Sequence, residues 1–367
     1  MSDEYTTPSQ FLILLDSTAF PCARIERIGE GNANFSFRGH LSEPTPSGLK
    51  TVFIKHAEPY VAKFRAFKFG PERSNFEYTV LEHLTTLDIS TDRNTVSTPR
   101  PLQFLPDSHT AIYEDVQQSE TLKTALLADR LSRETAVHVG AALGAYIARL
   151  HVWGRDAEQE ALRRHLASYD EATRVIFSMT YGSFHGLITA FPGLLAGNED
   201  LFARAKQWAQ DVFFGEDGGR RTVTHGDFWT GNILVPSSLS QTVAEPRSQN
   251  LHVVDWEACR LSAPGLDIGQ MVAEMYLPFH FHANPVSLAL IDAFLDAYAR
   301  AGDVPVEEVL TAVKHFGMHL LVFPARTGWP KEGVEECVRL GLEYLEHGVG
   351  GDVEWVKGSV FKRLVRM

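Results

Sequence analysis

The octapeptide His225-Gly226-Asp227-Phe228-Trp229-Thr230-Gly231-Asn232, running straight into the apolar stretch Ile233-Leu234-Val235, restricts the fold of this chain more than any other feature of it. It calls for a loop that can aim Asp227 and Asn232 at one point, followed by a short strand that anchors the loop's end. A carboxylate so placed can accept the proton of an attacking hydroxyl. An amide oxygen beside it can bind Mg2+ without competing as a base, a division of labour suited to phosphoryl transfer. The competing account is an ordinary turn in which Asp and Asn cap backbone groups.

A second β-like run, His252-Val253-Val254-Asp255, leads into Asp255-Trp256-Glu257. Mg2+ takes oxygen ligands and keeps several waters, so one or two protein carboxylates suffice, and Asp255 is the natural first one. The Ser-, Gln- and Pro-rich stretch between the two runs, Pro236 to Asn250, is expected to be an exposed hairpin loop.

Upstream, Thr51-Val52-Phe53-Ile54-Lys55 reads as a strand ending in a lysine. A helix follows over Glu72 to Leu87, with Phe76, Val80, Leu81 and Leu84 on one face and Glu77 among them. A strand lysine on the phosphates, steadied by a helix glutamate, is a kinase arrangement; a surface lysine and a solvated glutamate are the alternative. Gly29-Glu30-Gly31-Asn32-Ala33-Asn34, between two strand-like runs in Arg24 to Leu41, can turn backbone N–H groups toward phosphates or be a plain hairpin turn. A dinucleotide-binding reading fits worse, because a strand and not a helix follows the glycines.

At 367 residues the chain is too long for one ordinary core, and its patterning changes near residue 116. Residues 1–116 read as strands around one helix, and residues 117–367 as mainly helical. Ser132 opens a helix with the stripe Val139, Leu143, Ile147 and Leu150. Leu288, Ile291, Leu295 and Tyr298 mark another, ended by Gly302; Pro305 opens a third, lined by Val309, Val313, Phe316 and Leu320. The expected fold is α+β: a small β-rich N-terminal lobe for nucleotide and a larger helical lobe for catalysis and substrate, with ligand between them.

The net charge of -12 supplies no basic field for a nucleic-acid backbone and favours a neutral or cationic substrate. Cys22, Cys259 and Cys337 are scattered and form no CxxC pair, which points away from disulfides and zinc ribbons. The acidic start Met1-Ser2-Asp3-Glu4-Tyr5 is unlike a signal peptide, and no apolar run nears the ~18 residues of a membrane span. A cytoplasmic location without membrane contact is expected.

The order of these elements, with Gly265-Leu266-Asp267-Ile268-Gly269 following, resembles the aminoglycoside phosphotransferase/choline kinase superfamily. Ile54-Lys55-His56-Ala57-Glu58-Pro59, Glu72-Arg73-Ser74-Asn75-Phe76-Glu77-Tyr78 and Asp255 through Gly269 look like its 5-methylthioribose kinase-like branch, especially the fungal hydroxytryptamine kinase-like members. The resemblance spans about residues 20–345. It implies a bilobal protein-kinase-like fold, ATP and Mg2+, Asp227 as base, and Asn232 and Asp255 as metal ligands. It further implies that Lys55 and Glu77 position ATP, that backbone at Glu114 to Val116 holds the adenine, and that Leu234 lies beneath the ring. Methylthioribose kinases carry serine where Asn232 stands and pair two arginines where only Arg326 is found, which sets this chain apart from a sugar kinase of that type.

Eight residues between Asp255 and Pro264 leave no room for a peptide-docking activation loop, so the expected acceptor is a small-molecule hydroxyl, with a silent nucleotide-binding protein or a methylthioribose-type sugar kinase as the alternatives. On the acceptor side, Trp229 can stack on a ring or prop its loop, and Glu274 can face an amine or be a solvated helix carboxylate. Tyr276 and Arg326 are further candidates. Asp267 is expected to orient the loop rather than touch ligand. Phe279-His280-Phe281-His282 is read as core before pocket wall, and His315 with His319 as packed histidines rather than a zinc pair.

Overall fold

The structure, a computed structural model, describes residues 5–29, 33–85, 87, 89–90, 94–215, 221–240 and 249–365. The chain divides into two compact units. The first comprises Met1–Leu87, Thr98–Gln118 and Val254–Glu257; the second comprises Asp88–Ser97, Ser119–Val253 and Ala258–Met367.

The first unit is built on a five-stranded antiparallel sheet in the order Cys22–Ile28, Phe35–Leu41, Thr51–His56, Thr110–Glu114, Pro101–Leu105. Alternation decides its faces: Val52 and Ile54, two residues apart, are fully buried with Phe37 and Ile112. Against them lies helix Pro8–Asp16 through Phe11 and Leu15. That helix corrects the expectation of a single helix in this region. Its signals are local: Pro8 occupies the first turn, and the Gln10 side chain accepts a hydrogen bond from the Thr7 N–H (3.0 Å), closing a capping box. The second helix, Arg73–Leu84, buries Phe76, Glu77, Val80, Leu81 and Leu84.

In the second unit, strands Ile233–Pro236 and Gln249–Val253 pair antiparallel, Ile233 opposite Val253 and Leu234 opposite His252. Strands Ser119–Thr121, Asn94–Ser97 and Ile89–Ser90 complete that sheet, with Asn94–Ser97 parallel to Gln249–Val253. Residues 241–248 of the expected hairpin loop lie outside the described residues. The helical core starts from Arg133–Trp153, whose N-cap Ser132 hydroxyl accepts from the Thr135 N–H (3.1 Å). Along helix Val286–Arg300 the buried face is Leu290, Ile291, Phe294, Leu295 and Tyr298; Leu288, assigned to the stripe from spacing, is exposed. Burial at 290 and 294 turns that face away from 288 while Ile291, Leu295 and Tyr298 stay within it.

Helix Pro264–His282 crosses Val306–Val322 closely because Gly265 and Gly269 sit at the contact. A Cβ at either would lie 2.5 Å from a backbone oxygen of the neighbour, Glu308 or Ala312 respectively. This sets the position of Asp267 and of the residues that follow it. Among the described residues no helix is long and apolar enough to cross a membrane.

Candidate active site

Lys55 occupies the penultimate position of strand Thr51–His56 and is buried there. Its Nζ lies 2.7 Å from Glu77 Oε2 and 2.5 Å from Asp255 Oδ1. Glu77 comes from helix Arg73–Leu84, and its second oxygen accepts from the backbone N–H of the fully buried Trp256 (3.0 Å). The helix carboxylate therefore ties the Asp255-Trp256-Glu257 turn to the strand lysine. Asp255 itself adopts φ 68°, a left-handed conformation that costs a non-glycine residue about 1–3 kcal/mol. Around this core Arg73, wholly buried, donates from Nε to Asn34 Oδ1 (2.9 Å) and from Nη1 to the carbonyls of Phe69 and Gly70 (2.7 Å each). Asn34 in turn donates to Glu257 Oε2 (2.7 Å).

The electrostatics follow from this crowding. Burial alone would lower the lysine's proton affinity, but Asp255, Glu77 and Glu257 outweigh it and hold Lys55 charged. Burial raises Glu77 to about 7 and also raises Glu257, against the pull of Lys55 in both and of Arg73 in the second. Three carboxylates thus face two cations.

Of the remaining N-terminal candidates, Gly29 is exposed with open space around it, and Gly31 lies outside the described residues. Asn34 is buried with its side chain committed as above. Glu114 ends strand Thr110–Glu114, its N–H given to Arg100 O (2.9 Å), and Val116 is half-buried just beyond.

In the second unit the octapeptide forms a loop closed by a short 3-10 turn, Thr230–Asn232. Asp227 and Asn232 are brought together: the Asn232 amide nitrogen donates to Asp227 Oδ2 (3.1 Å) and to the Asp227 carbonyl (3.0 Å). Gln270, on helix Pro264–His282, donates to Asp227 Oδ1 (2.6 Å), so each carboxylate oxygen accepts one amide N–H. The loop hangs from Asp267, whose two oxygens accept the backbone N–H groups of His225 (2.8 Å) and Gly226 (2.9 Å) and pair with His151 Nε2 (3.2 Å). Burial would raise Asp267, but the hydrogen bond from His151, the two imidazoles' charge and the Gly226 N–H outweigh it, and the carboxyl is held below its ordinary value. Gly226 has φ 82°, and a Cβ there would run into the Ala258 carbonyl. Arg260, buried below the loop, donates to Gly226 O (2.8 Å). Leu234 is half-buried in the following strand.

A hard cation needs oxygen donors, and each unit by itself offers one. The Asn232 nitrogen is spent on Asp227, which leaves its oxygen as the ligating atom, and Asp255 offers a carboxylate of which 39% of the side chain is exposed. Among the described residues no group of three or more His, Cys, Asp and Glu side chains is arranged to hold a metal. His315 bonds the Tyr181 hydroxyl (2.9 Å) and His319 bonds Glu274 (2.9 Å), as packed histidines do.

On the acceptor side, the half-buried Trp229 folds its ring over Gly231, where any Cβ would strike it. Glu274 is buried, not solvated: it pairs with His319 and with Lys123 Nζ (3.3 Å). Burial would raise it, but those two partners keep it below its ordinary value. Tyr276 is half-buried against Phe279, His280 and Phe316. Arg326 is exposed and donates to the Met179 carbonyl (3.1 Å). Spacing alone did not single out Gln270, Arg260, His151 or Lys123. Gln270 follows Gly269 directly, and that adjacency to a recognised motif was the one available signal.

Comparison with known proteins supplies the family and the fold. The phosphotransferase enzyme family, APH, matches residues 46–310, and the chain belongs to it. Phosphotransferase FrzJ of a Cladobotryum species is 24% identical over 380 residues, covering 98% of this chain and 97% of that protein. A 4-hydroxytryptamine kinase of Psilocybe cyanescens is 26% identical over 324 residues, covering 87% of this chain and 86% of the relative. Among solved structures, an amicoumacin kinase in complex with AMP-PNP, Ca2+ and Ami aligns with a TM-score of 0.51 at 8% identity, over 94% of each chain. The β-sheet N-terminal region and helical C-terminal region are those of the protein-kinase-like fold. The chain is a small-molecule phosphotransferase, and the kinase names of its relatives are consistent with an alcohol group as acceptor.

Proposed function

We propose that this phosphotransferase moves the γ-phosphoryl group of ATP to a hydroxyl of a small metabolite, with Asp227 as the base. The observation that carries the reading is the Asp227 carboxylate, fixed on both oxygens by the side-chain amides of Asn232 and Gln270 and set in a loop hung from Asp267. So oriented, Asp227 accepts the hydroxyl proton as the new O–P bond forms and the bond from the γ-phosphorus to the β–γ bridging oxygen breaks, leaving ADP. Lys55, steadied by Glu77, offsets charge on the α/β oxygens. Asn232 and Asp255 would hold Mg2+, which when bound neutralises charge on the phosphate oxygens. Backbone at Glu114 to Val116, Leu234, Gly29, Gly31 and Asn34 are assigned to the nucleotide. Trp229, Glu274 and Tyr276 are assigned to the acceptor, an alcohol that also carries an amine; Arg326 would meet it only at the surface. Most of the acceleration comes from positioning and electrostatics, so each group acts without forming a covalent intermediate.

Replacing Asp227 with Ala is expected to lower turnover by about 10³-fold while ATP binding in the presence of Mg2+ stays within threefold. Coupled ADP release over a panel of amino alcohols and aromatic alcohols measures the first, calorimetry the second. Full turnover in the variant rules out Asp227 as base.

A further inference from the structure

Lys123 lies on the six-residue helix Leu122–Leu127, and its side chain is half-buried. Its ammonium group sits over the indole of Trp229 (4.8 Å to the ring centroid) and the indole of Trp329 (5.2 Å), with Glu274 Oε2 3.3 Å away. Two aromatic faces and a buried carboxylate around one positive charge make a recognition site for an ammonium ion. The walls are well supported. Glu274 is fixed by His319, and Trp329, nine-tenths buried, stacks on Phe281 at 5.0 Å. Neither the Trp329 indole N–H nor the second imidazole nitrogen of His319 has a hydrogen-bond partner among the described residues.

We propose that Lys123 is a built-in occupant of a cation cage formed by Trp229, Trp329 and Glu274, and that an acceptor's ammonium group binds there by displacing it. This rests on the phosphotransferase reading above and adds to it a mode of entry. Gln270 and Glu274 are one turn apart on the same face of helix Pro264–His282, so the cage lies about 6 Å along the helix axis from the group that holds Asp227. An amino alcohol can therefore place its amine in the cage with its hydroxyl toward the base. The displaced lysine keeps its backbone, because Leu122, Ala125 and Leu126 of its helix are buried. Only the four-carbon stem swings out, returning a strongly hydrated ammonium to water. Exchange of one cation for another leaves Glu274 neutralised throughout. Entry of an uncharged group would instead leave that buried carboxylate with His319 as its remaining partner and no cation at Oε2, which selects for cationic acceptors.

Titration with tetramethylammonium, followed by tryptophan fluorescence and calorimetry, tests the cage without turnover. Lys123→Met is expected to bind the probe about tenfold more tightly than the unaltered protein, while tert-butanol, an uncharged control, gains nothing. Adding Trp329→Leu or Glu274→Gln to Lys123→Met should abolish the gain. Equal or weaker binding by Lys123→Met overturns the proposal, as does a gain that survives loss of Trp329, which would be a long-range charge effect. If Lys123→Met fails to fold, Lys123→Gln carries the same comparison, its amide retaining a donor for Glu274. Failure here leaves phosphoryl transfer intact, and failure of the Asp227→Ala experiment leaves the cage titration intact.

Discussion

The two units bury their carboxylates by different means. In the first, Glu77, Asp255 and Glu257 gather around Lys55 and Arg73, charge against charge with one carboxylate in excess. In the second, Asp227 and Asp267 are satisfied chiefly by amide N–H groups, two from side chains and two from backbone, with His151 added at Asp267. A cluster of opposed charges tolerates the arrival of more charge, as a triphosphate and a divalent ion would bring. A carboxylate held by amides is fixed in direction and stays put while a proton moves. The contrast suits the proposed division between a nucleotide-handling region and an acceptor-handling region.

Removing one member of the charged cluster should break the comparison most severely. Lys55→Met is expected to lower kcat/KM by about 10²–10³-fold. It should also cost about 3–5 kcal/mol of stability, because Glu77 is left buried without its cation. Steady-state kinetics and urea unfolding measure the two, and near-normal values would mean that the cluster is ornamental.

Acidification should separate the units by sign. Glu77 is raised to about 7, by burial against the pull of Lys55, so its contribution to stability is full below its ordinary value of 4.5 and is lost as pH rises through 7. Asp267 is lowered from 3.8 because its partners outweigh burial, so its contribution is present above 3.8 and is lost as pH falls through the folded value. The protection factors for hydrogen exchange in helix Arg73–Leu84, corrected for the intrinsic pH dependence, should rise by about tenfold between pH 7 and pH 5, with those of helix Arg133–Trp153 little changed. Asp267→Asn should cost about 3 kcal/mol at pH 7 and flatten the loss below pH 3.8. Parallel pH responses in the two helices would remove the contrast.

The smallest effect sharpens the comparison rather than breaking it. Gln270→Ala takes one amide from Asp227 and should lower kcat about tenfold with melting temperature nearly unchanged, since one hydrogen bond to a charged group is worth about 1.5–3 kcal/mol. A change in KM alone would place Gln270 on the acceptor and not on the base.

How much of this could be read from the chain depended on how far apart the partners lie in it. Asp227 and Asn232 stand five residues apart, and their meeting followed from the loop they share. Lys55 and Glu77 needed the order of strand and helix, which hydrophobic spacing supplied. Arg260, His151 and Lys123 announce nothing locally; their roles exist only where separate helices and strands converge. Glu274 illustrates the limit, since helical spacing left it open to solvent while packing enclosed it with His319 and Lys123. Helix Pro8–Asp16 is the reverse case: Thr7, Pro8 and Gln10 carried the signal, and the strand-rich surroundings hid it.

The glycines at 265 and 269 have a consequence for how such an enzyme can diversify. They lock one side of helix Pro264–His282 onto its neighbour, and Asp267 holds the loop from between them. Positions 270 and 274 then project from a rod that cannot shift. A new side chain at 274 would retune what the enzyme accepts while Gln270 keeps its hold on Asp227, so selectivity can drift without that loop being rebuilt.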